Sequence, residues 1–409
     1  MEAYISGQLA KHEKRHATRA MSSIQSGNYE FAASLGKLLA TRNDGVNLFF
    51  SPASISMAIA MCHMGADGET EQQMKDVLFG KESTEQEVQQ WAQSTLALQS
   101  EIKDQGIALK FANRLYAAKK YPLKNEYIQE VVRVFKSKTL TVDFAKNAEK
   151  IASEINQWVE EITNKKIQNL VPPGCLTSDV ALVIINALYF KSPWFNQFSE
   201  HMTQKKKFHS SPSEQIDLDM MHMTDDGLWF EDHEVQVLEM AYAHREASMI
   251  LILPKEIYGL RNVLQNLDGK KLLKWINNMT NEKVQVQIPK FKIERSFQLN
   301  DPLKCLGIKD AFGFDSSDFS KMIDDPKIKV KISEVLHKAF IEVDEKGTEA
   351  AAATMVKVVA MCCSAKIDRR EPKRFVADQP FLFLLTAGRN DKRVVLFLGQ
   401  YYGKDNDEM

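Results

Sequence analysis

Cysteine is scarce in this chain, which has five cysteines scattered over 409 residues. No two of them are spaced as a Cys-x-x-Cys pair, so the sequence gives no indication of a structural zinc site or a thioredoxin-like motif. An odd and scattered set also provides no disulfide framework. We therefore expect the thiols to be reduced, as they are in a cytosolic protein.

Long hydrophobic runs are absent as well. No stretch reaches the roughly 18 uninterrupted apolar residues of a membrane span, and the N-terminal segment lacks the apolar core of a cleavable signal peptide. Lysine plus arginine (53) nearly balance aspartate plus glutamate (54), and a net charge of −1 argues against bulk binding to nucleic acid or membranes. We expect a cytoplasmic protein, or one that is exported without a cleaved signal peptide.

Recognisable catalytic motifs are missing too. The 18 glycines form no Gly-x-Ser-x-Gly elbow, no phosphate-binding loop and no dinucleotide fingerprint. His12 and His16 match the His-Glu-x-x-His pattern of zinc proteases, but their flanks are charged and provide no apolar helix face. We interpret this segment as part of a solvated basic tail, and we expect no catalytic residue, no cofactor and no metal.

The most informative stretch of the sequence covers residues 342–385. Glu345-Lys346-Gly347 should interrupt any regular element, because glycine tolerates dihedrals that other residues do not. Small residues follow, from Thr348 through four alanines to Thr354, and then a β-branched run that favours an extended chain. In a strand, alternate side chains share a face. One face of this segment would therefore carry only small residues.

Two motifs in this stretch resemble those of a known family. EKGTEAAAAT resembles the proximal hinge of an inhibitory serpin, and FVADQPFLFLL resembles the signature that follows the serpin reactive-centre loop. Further matching motifs extend from Asn28 to Tyr402. The resemblance is to the intracellular, ovalbumin-like group, and it implies an α+β serpin fold with three β-sheets and about eight to nine helices.

The resemblance also predicts the domain organisation. We expect a polar tail over residues 1–27, one serpin domain over 28–403 and a short tail over 404–409. Asn28 is predicted to cap the first helix, and the exposed reactive-centre loop is expected at about 345–374. The protein should be a monomer whose partner is a protease.

The same motifs imply which residues take part when the loop inserts into the main sheet. The hinge corresponds to nine residues: Glu345, Gly347, Thr348, Glu349, Ala350, Ala351, Ala352, Ala353 and Thr354. Four polar residues match the family's shutter, and a tryptophan matches the place where the loop first enters the sheet: Ser51, Ser54, Asn186, His337 and Trp194. From the sequence alone, each shutter residue is a buried polar group with satisfied hydrogen bonds. The adjacent Cys62 and His63 are expected to pack in the core.

The family mechanism is a suicide reaction, in which a serine protease attacks the loop and is trapped as an acyl-enzyme. Counting Gly347 as the first residue, Met361 is the fifteenth, which is the usual position in serpins of the residue before the cut. The resemblance therefore implies Met361–Cys362 as the reactive bond, and the apolar Met361 favours chymotrypsin-like or elastase-like targets. The loop is longer than is typical of the family. Counting back from Pro380 gives Arg369–Arg370 instead, and hence a trypsin-like target.

Two further functions stay open at this stage. One is inhibition of papain-like proteases, and the other is the role of a non-inhibitory serpin, such as a chaperone or carrier. The alanine-rich hinge argues against the non-inhibitory role, because non-inhibitory serpins often carry charged or bulky hinge residues, which would hinder insertion.

Overall fold

The computed structural model describes residues 23–101, 107–325, 327–348, 371–389 and 392–403. Both candidate reactive bonds, Met361–Cys362 and Arg369–Arg370, lie outside the described residues. The same holds for the hinge from Glu349 to Thr354. The first hinge residues, up to Thr348, are described.

Nine α-helices lie within the described ranges. Their bounds are α1 Ser23–Arg42, α2 Pro52–Gly65, α3 Gly68–Phe79, α4 Glu85–Glu101, α5 Asn125–Phe135, α6 Phe144–Ile162, α7 Leu260–Gln265, α8 Gly269–Asn277 and α9 Asn300–Leu306. None of these helices is long and apolar enough to span a membrane.

Fifteen strands accompany the helices in the described part of the chain. They are β1 Leu48–Phe50, β2 Ala108–Ala118, β3 Lys138–Val142, β4 Leu182–Pro193, β5 Gln204–Ser211, β6 Glu214–Glu231, β7 Val235–Ala241, β8 Ala247–Pro254, β9 Thr280–Pro289, β10 Phe291–Gln298, β11 Ile332–Val343, β12 Gly347–Thr348, β13 Lys373–Val376, β14 Phe381–Ala387 and β15 Val394–Tyr401.

The strands form three sets. The main sheet has the order β10-β11-β12-β4-β2-β3. The second set has the order β1-β15-β14-β8-β7, and β7 pairs with one end of β6. The other end of β6 pairs with β5 and β9, and these strands form the third set together with β13. Because β6 is 18 residues long, it joins the second and third sets by continuous hydrogen bonding. The expected α+β class is confirmed.

Helix α1 begins earlier than the sequence suggested. It starts at Ser23, so Asn28 lies inside the helix and donates from Nδ2 to the carbonyl of Ile24 at 2.9 Å. The prediction of an Asn28 cap was wrong, and the tail boundary at residue 27 lies too far along the chain. Tertiary contact explains the extension, because Gly27 packs so closely on Phe79 that a Cβ would lie 2.1 Å from the Phe79 carbonyl carbon.

Helix α2 lies between the sheets and is buried on nearly every side. Pro52 occupies its first turn, where a missing N–H costs nothing. Ser51 caps the helix, accepting a hydrogen bond from the Ser54 N–H at 3.0 Å. This start of α2 faces the middle of the main sheet, which helix α6 covers from the other side with Ile151, Ile155 and other apolar residues.

Candidate functional site

The central strands of the main sheet, β4 and β11, separate at one end. Their parallel pairing runs from Leu182 opposite Ile332 to Leu188 opposite Ala339. Farther along, the two strands instead pair with β12, which lies between them. We call the space between Tyr189–Ser192 and Phe340–Val343 the slot. Its outer end holds the first hinge residues.

Gly347 fits the slot because it has no side chain. A Cβ at this position would lie 2.2 Å from the Ser192 carbonyl oxygen and 2.6 Å from Pro193 Cα. Contacts this short do not occur between real Cβ atoms and backbone. The glycine of the hinge therefore allows the backbone of β12 to approach β4.

Thr348 is already buried. Its side chain faces the interior and is 1% exposed, with Oγ1 2.5 Å from the hydroxyl of Tyr242. The ring of Tyr242 stacks on Trp194 at 4.5 Å between centroids. Burial raises the pKa of Tyr242, so its hydroxyl keeps its proton for this hydrogen bond.

Trp194 holds the turn that precedes β12. Its indole Nε1–H donates to the Asp344 carbonyl at 2.9 Å, and its backbone N–H donates to the Lys346 carbonyl at 2.8 Å. The Asp344 carboxylate accepts from the backbone N–H groups of Lys346 and Gly347 at 2.8 and 3.0 Å. The turn is therefore fixed both internally and against β4.

Glu345 anchors the same turn to a different part of the molecule. Its carboxylate accepts from Thr203 Oγ1 at 2.7 Å and pairs with Lys290 Nζ at 2.9 Å. Burial raises the pKa of the carboxyl, but the hydrogen bonds from Lys290 and Thr203 outweigh it and lower the pKa overall. The carboxylate is thus ionised where it meets the lysine.

The four predicted shutter residues meet just beyond the inner end of the slot, where β4 and β11 are paired. Ser54 Oγ donates to Asn113 Oδ1 at 3.0 Å, and Asn186 Nδ2 donates to Ser54 Oγ at 2.8 Å and to Asn113 Oδ1 at 2.9 Å. Asn186 Oδ1 lies 2.5 Å from His337 Nδ1. Asn186 and His337 belong to β4 and β11, so this contact joins the two strands that border the slot.

The neighbours of His337 determine its tautomer. The Ser51 backbone N–H can only donate, and it points at Nε2 from 3.0 Å. Nε2 is therefore the unprotonated acceptor, and Nδ1–H donates to Asn186. Complete burial lowers the pKa of His337 to about 3, although the Asn186 contact opposes this. The imidazole is neutral at physiological pH.

The structure thus places the predicted residues in two groups on one face of the main sheet. Glu345, Gly347, Thr348 and Trp194 lie at the outer end of the slot, and the shutter lies six strand residues away, about 20 Å at the strand rise. The sequence did not indicate the partners Tyr242, Asn113, Lys290 and Thr203, because each is distant in the chain and carries no local signal.

A family model described as serpin (serine protease inhibitor) matches residues 26–403. The chain belongs to the serpin family. Serpin B6 of Macaca fascicularis is 36% identical over 386 residues, covering 93% of this chain and 99% of the relative. Serpin B4 of Homo sapiens is 33% identical over 398 residues, with the same two coverages. These relatives confirm the expected ovalbumin-like group.

Solved serpin structures are similar over nearly the whole chain. Serpin48 of Tenebrio molitor matches with a TM-score of 0.81 and 29% identity, covering 95% of this chain and all of that one. Uncleaved ovalbumin matches with a TM-score of 0.80 and 28% identity, covering 94% of this chain and all of its own. The serpin fold is confirmed.

The His337 geometry predicts a pH dependence of stability. A histidine in the unfolded chain has a pKa near 6.5, so between about pH 6.5 and 3 the unfolded state binds a proton that the folded state excludes. Stability should fall as pH falls through that window, by up to about 1.4 kcal/mol per pH unit from this group.

Urea unfolding at pH 7, 6 and 5 should detect the effect when wild type is compared with His337→Gln. The glutamine amide retains one donor and one acceptor but does not titrate. Other groups titrate in both proteins, so the difference in the free energy of unfolding between wild type and His337→Gln should narrow towards pH 5. A gap that does not change with pH would contradict the assignment.

Proposed function

We propose that this serpin inhibits a protease by inserting its hinge as a further strand of the main sheet. Serpins are in general protease inhibitors and not enzymes. The observation that supports insertion here is the position of β12, which already pairs with both β4 and β11 at the outer end of the slot. The hinge thus enters the sheet in the alignment that a full strand would need.

The register of β12 determines where the following residues would lie. Thr348 is opposite both Ser192 and Val343 in an antiparallel arrangement. Continuing that register in steps of two gives three further sets of neighbours: Ala350 with Phe190 and Ile341, Ala352 with Leu188 and Ala339, and Thr354 with Asn186 and His337.

The chemistry of the hinge matches this register. The first two sets of neighbours are apolar and fully buried, which suits alanine and excludes charged side chains. The third set is the polar shutter contact, and there the hinge carries a hydroxyl. Thr354 would come between Asn186 and His337, so insertion would replace their mutual hydrogen bond.

Insertion also exchanges one set of backbone hydrogen bonds for a larger one. The parallel pairs between β4 and β11 must separate, but each strand then pairs with the new one. The single pairing between β4 and β11 is thus replaced by two pairings, one on each side of the inserted strand. Burial of the inserted side chains adds to this gain, which is the free energy that drives the reaction.

The target protease would supply the catalytic chemistry. Its serine attacks the loop carbonyl, the peptide C–N bond breaks, and the loop stays attached as an acyl-enzyme. Insertion then draws the protease along the molecule and distorts its triad and oxyanion hole, so that water does not release the acyl group. The covalent complex, the monomeric state and the cellular location are parts of this proposal.

The bond that is cut determines the class of target. We favour Met361–Cys362, whose apolar Met361 suits chymotrypsin-like and elastase-like pockets. From Gly347 to Met361 the chain can span about 46 Å at 3.3 Å per residue, comparable with the length of the sheet. Arg369 lies eight residues farther along, which adds up to about 26 Å of slack.

Thr348→Arg tests the hinge. Because position 348 is already buried beside Tyr242, arginine there would cost about 3–5 kcal/mol and should keep the start of the hinge out of the slot. Insertion should slow, and the variant should be cleaved as a substrate with little stable complex. The measurement is the ratio of SDS-stable complex to cleaved serpin after incubation with chymotrypsin.

Glu349→Arg is the matched control for this test. The same side chain is introduced one residue along, where the proposed strand faces outward, so complex formation should stay close to wild type. Equal complex yields from Thr348→Arg and wild type would show that the hinge register is wrong.

A comparison of two proteases tests the reactive bond. Chymotrypsin should be trapped, and the released C-terminal fragment should begin at Cys362. Trypsin should cut after Lys366, Arg369 or Arg370 and escape, because the slack removes the force on its active site. N-terminal sequencing of each fragment reads the result, and a stable trypsin complex whose fragment begins at Arg370 would overturn the choice of Met361.

A further inference from the structure

A second cluster of chemically active side chains lies far along α2 from the shutter. His63 is in the last turn of α2, Glu71 is in α3 and Glu85 is the first residue of α4. One ligand atom from each lies within 4.8 Å of the others. Three helices therefore bring an imidazole and two carboxylates to one point.

His63 distinguishes this cluster from an ordinary group of surface acids. Its side chain is only 1% exposed, yet neither ring nitrogen has a hydrogen-bond partner. A buried polar group without a partner is costly. Nδ1 faces Glu85 Oε2 at 3.6 Å, which is too long for a hydrogen bond. A bound ion between His63 Nδ1 and Glu85 Oε2 would give both atoms a partner.

Glu85 is free to act as a ligand. The cap at the start of α4 uses Thr84 and Glu87, whose side chains exchange hydrogen bonds with each other's backbone N–H groups. Glu85 Oε1 accepts from Gln89 at 3.3 Å, which leaves Oε2 directed at His63. This carboxylate is not part of the Thr84–Glu87 cap.

A lysine pairs with the cluster on its Glu71 side. Lys321 Nζ lies 2.7 Å from Glu71 Oε2 and 3.2 Å from Asp67 Oδ1. It neutralises part of the acidic charge on the side of Glu71.

We propose that His63, Glu71 and Glu85 form a binding site for a divalent transition-metal ion of the Zn²⁺ class. Zinc binds histidine nitrogen and carboxylate oxygen at about 2.0–2.2 Å. Tetrahedral ligands at those lengths are about 3.4 Å apart, close to the 3.6 Å between His63 Nδ1 and Glu85 Oε2. Imidazole in the set favours zinc over magnesium or calcium, and water would complete the coordination on the exposed side.

Such an ion would connect α2 to α3 and α4. Helix α2 carries Ser51 and Ser54 at its other end, so the site would stabilise the helix on which the shutter is built. Because the ion would bind the folded chain only, its presence should raise the melting temperature in proportion to the logarithm of its concentration. This proposal does not depend on protease inhibition.

The test is isothermal titration of the EDTA-treated full chain with Zn²⁺, with Glu85→Gln and Glu71→Gln as ligand variants. The side chains of Glu85 and Glu71 are both partly exposed, so the two variants should fold normally. Each should weaken binding at this site by at least about tenfold, by analogy with the loss of supporting groups in metal sites, and should lose the Zn²⁺-dependent rise in melting temperature. Glu69→Gln, an exposed control on α3, should bind as wild type does.

The chain has other groups that could take up zinc, and two controls separate them. Replacing both His12 and His16 by glutamine should leave the site intact. The X-ray absorption fine structure of bound zinc should show nitrogen and oxygen ligands without sulfur, which excludes Cys362 and Cys363. The proposal is overturned if wild type binds no zinc, if Glu85→Gln and Glu71→Gln bind it as tightly as wild type, or if binding requires His12, His16 or a cysteine.

Discussion

The architecture depends on the backbone hydrogen bonding of two strands. Unpaired N–H and C=O groups on the facing edges of β4 and β11 are costly where they are buried. From Leu182 to Leu188 they satisfy one another, and at the outer end Gly347 and Thr348 satisfy both. Between these two paired regions, Tyr189–Lys191 and Phe340–Glu342 pair neither with each other nor with β12. The boundary between the paired and the separated parts of β4 and β11 is therefore the point at which insertion of the hinge is controlled.

The side chains around that boundary follow from the same constraint. At the outer end, Trp194, Tyr242 and Lys290 hold the first hinge residues in place through contacts from three separate parts of the chain. At the inner end, the contact between Asn186 and His337 holds the strands together. A neutral imidazole suits this position, since it donates on one side and accepts on the other. Helix α2 packs against the contact between Asn186 and His337 at one end. At its other end, His63 lies near α3 and α4.

Much of this site was predictable from sequence, for reasons that differ between residues. The first hinge residues and the four shutter residues could be selected because they lie in short motifs that resemble the family, and the small-residue alternation has a local physical meaning. Their roles in insertion stay predictions. Tyr242, Asn113 and Lys290 were not found, since their roles arise from contacts between distant segments. The start of α1 was missed for a similar reason, because packing of Gly27 on Phe79 is a tertiary effect. Continuity of two strand sets through β6 likewise depends on pairing that no local pattern reveals.

The central claim is that the slot accepts the hinge as a strand. The most direct test is the melting temperature of the protein before and after a clean cut within residues 355–370, because cleavage frees the hinge to insert. The account predicts that the cleaved protein is much more heat-stable, since β4 and β11 would each gain a full-length partner. Equal melting temperatures for the intact and the cleaved protein would contradict it.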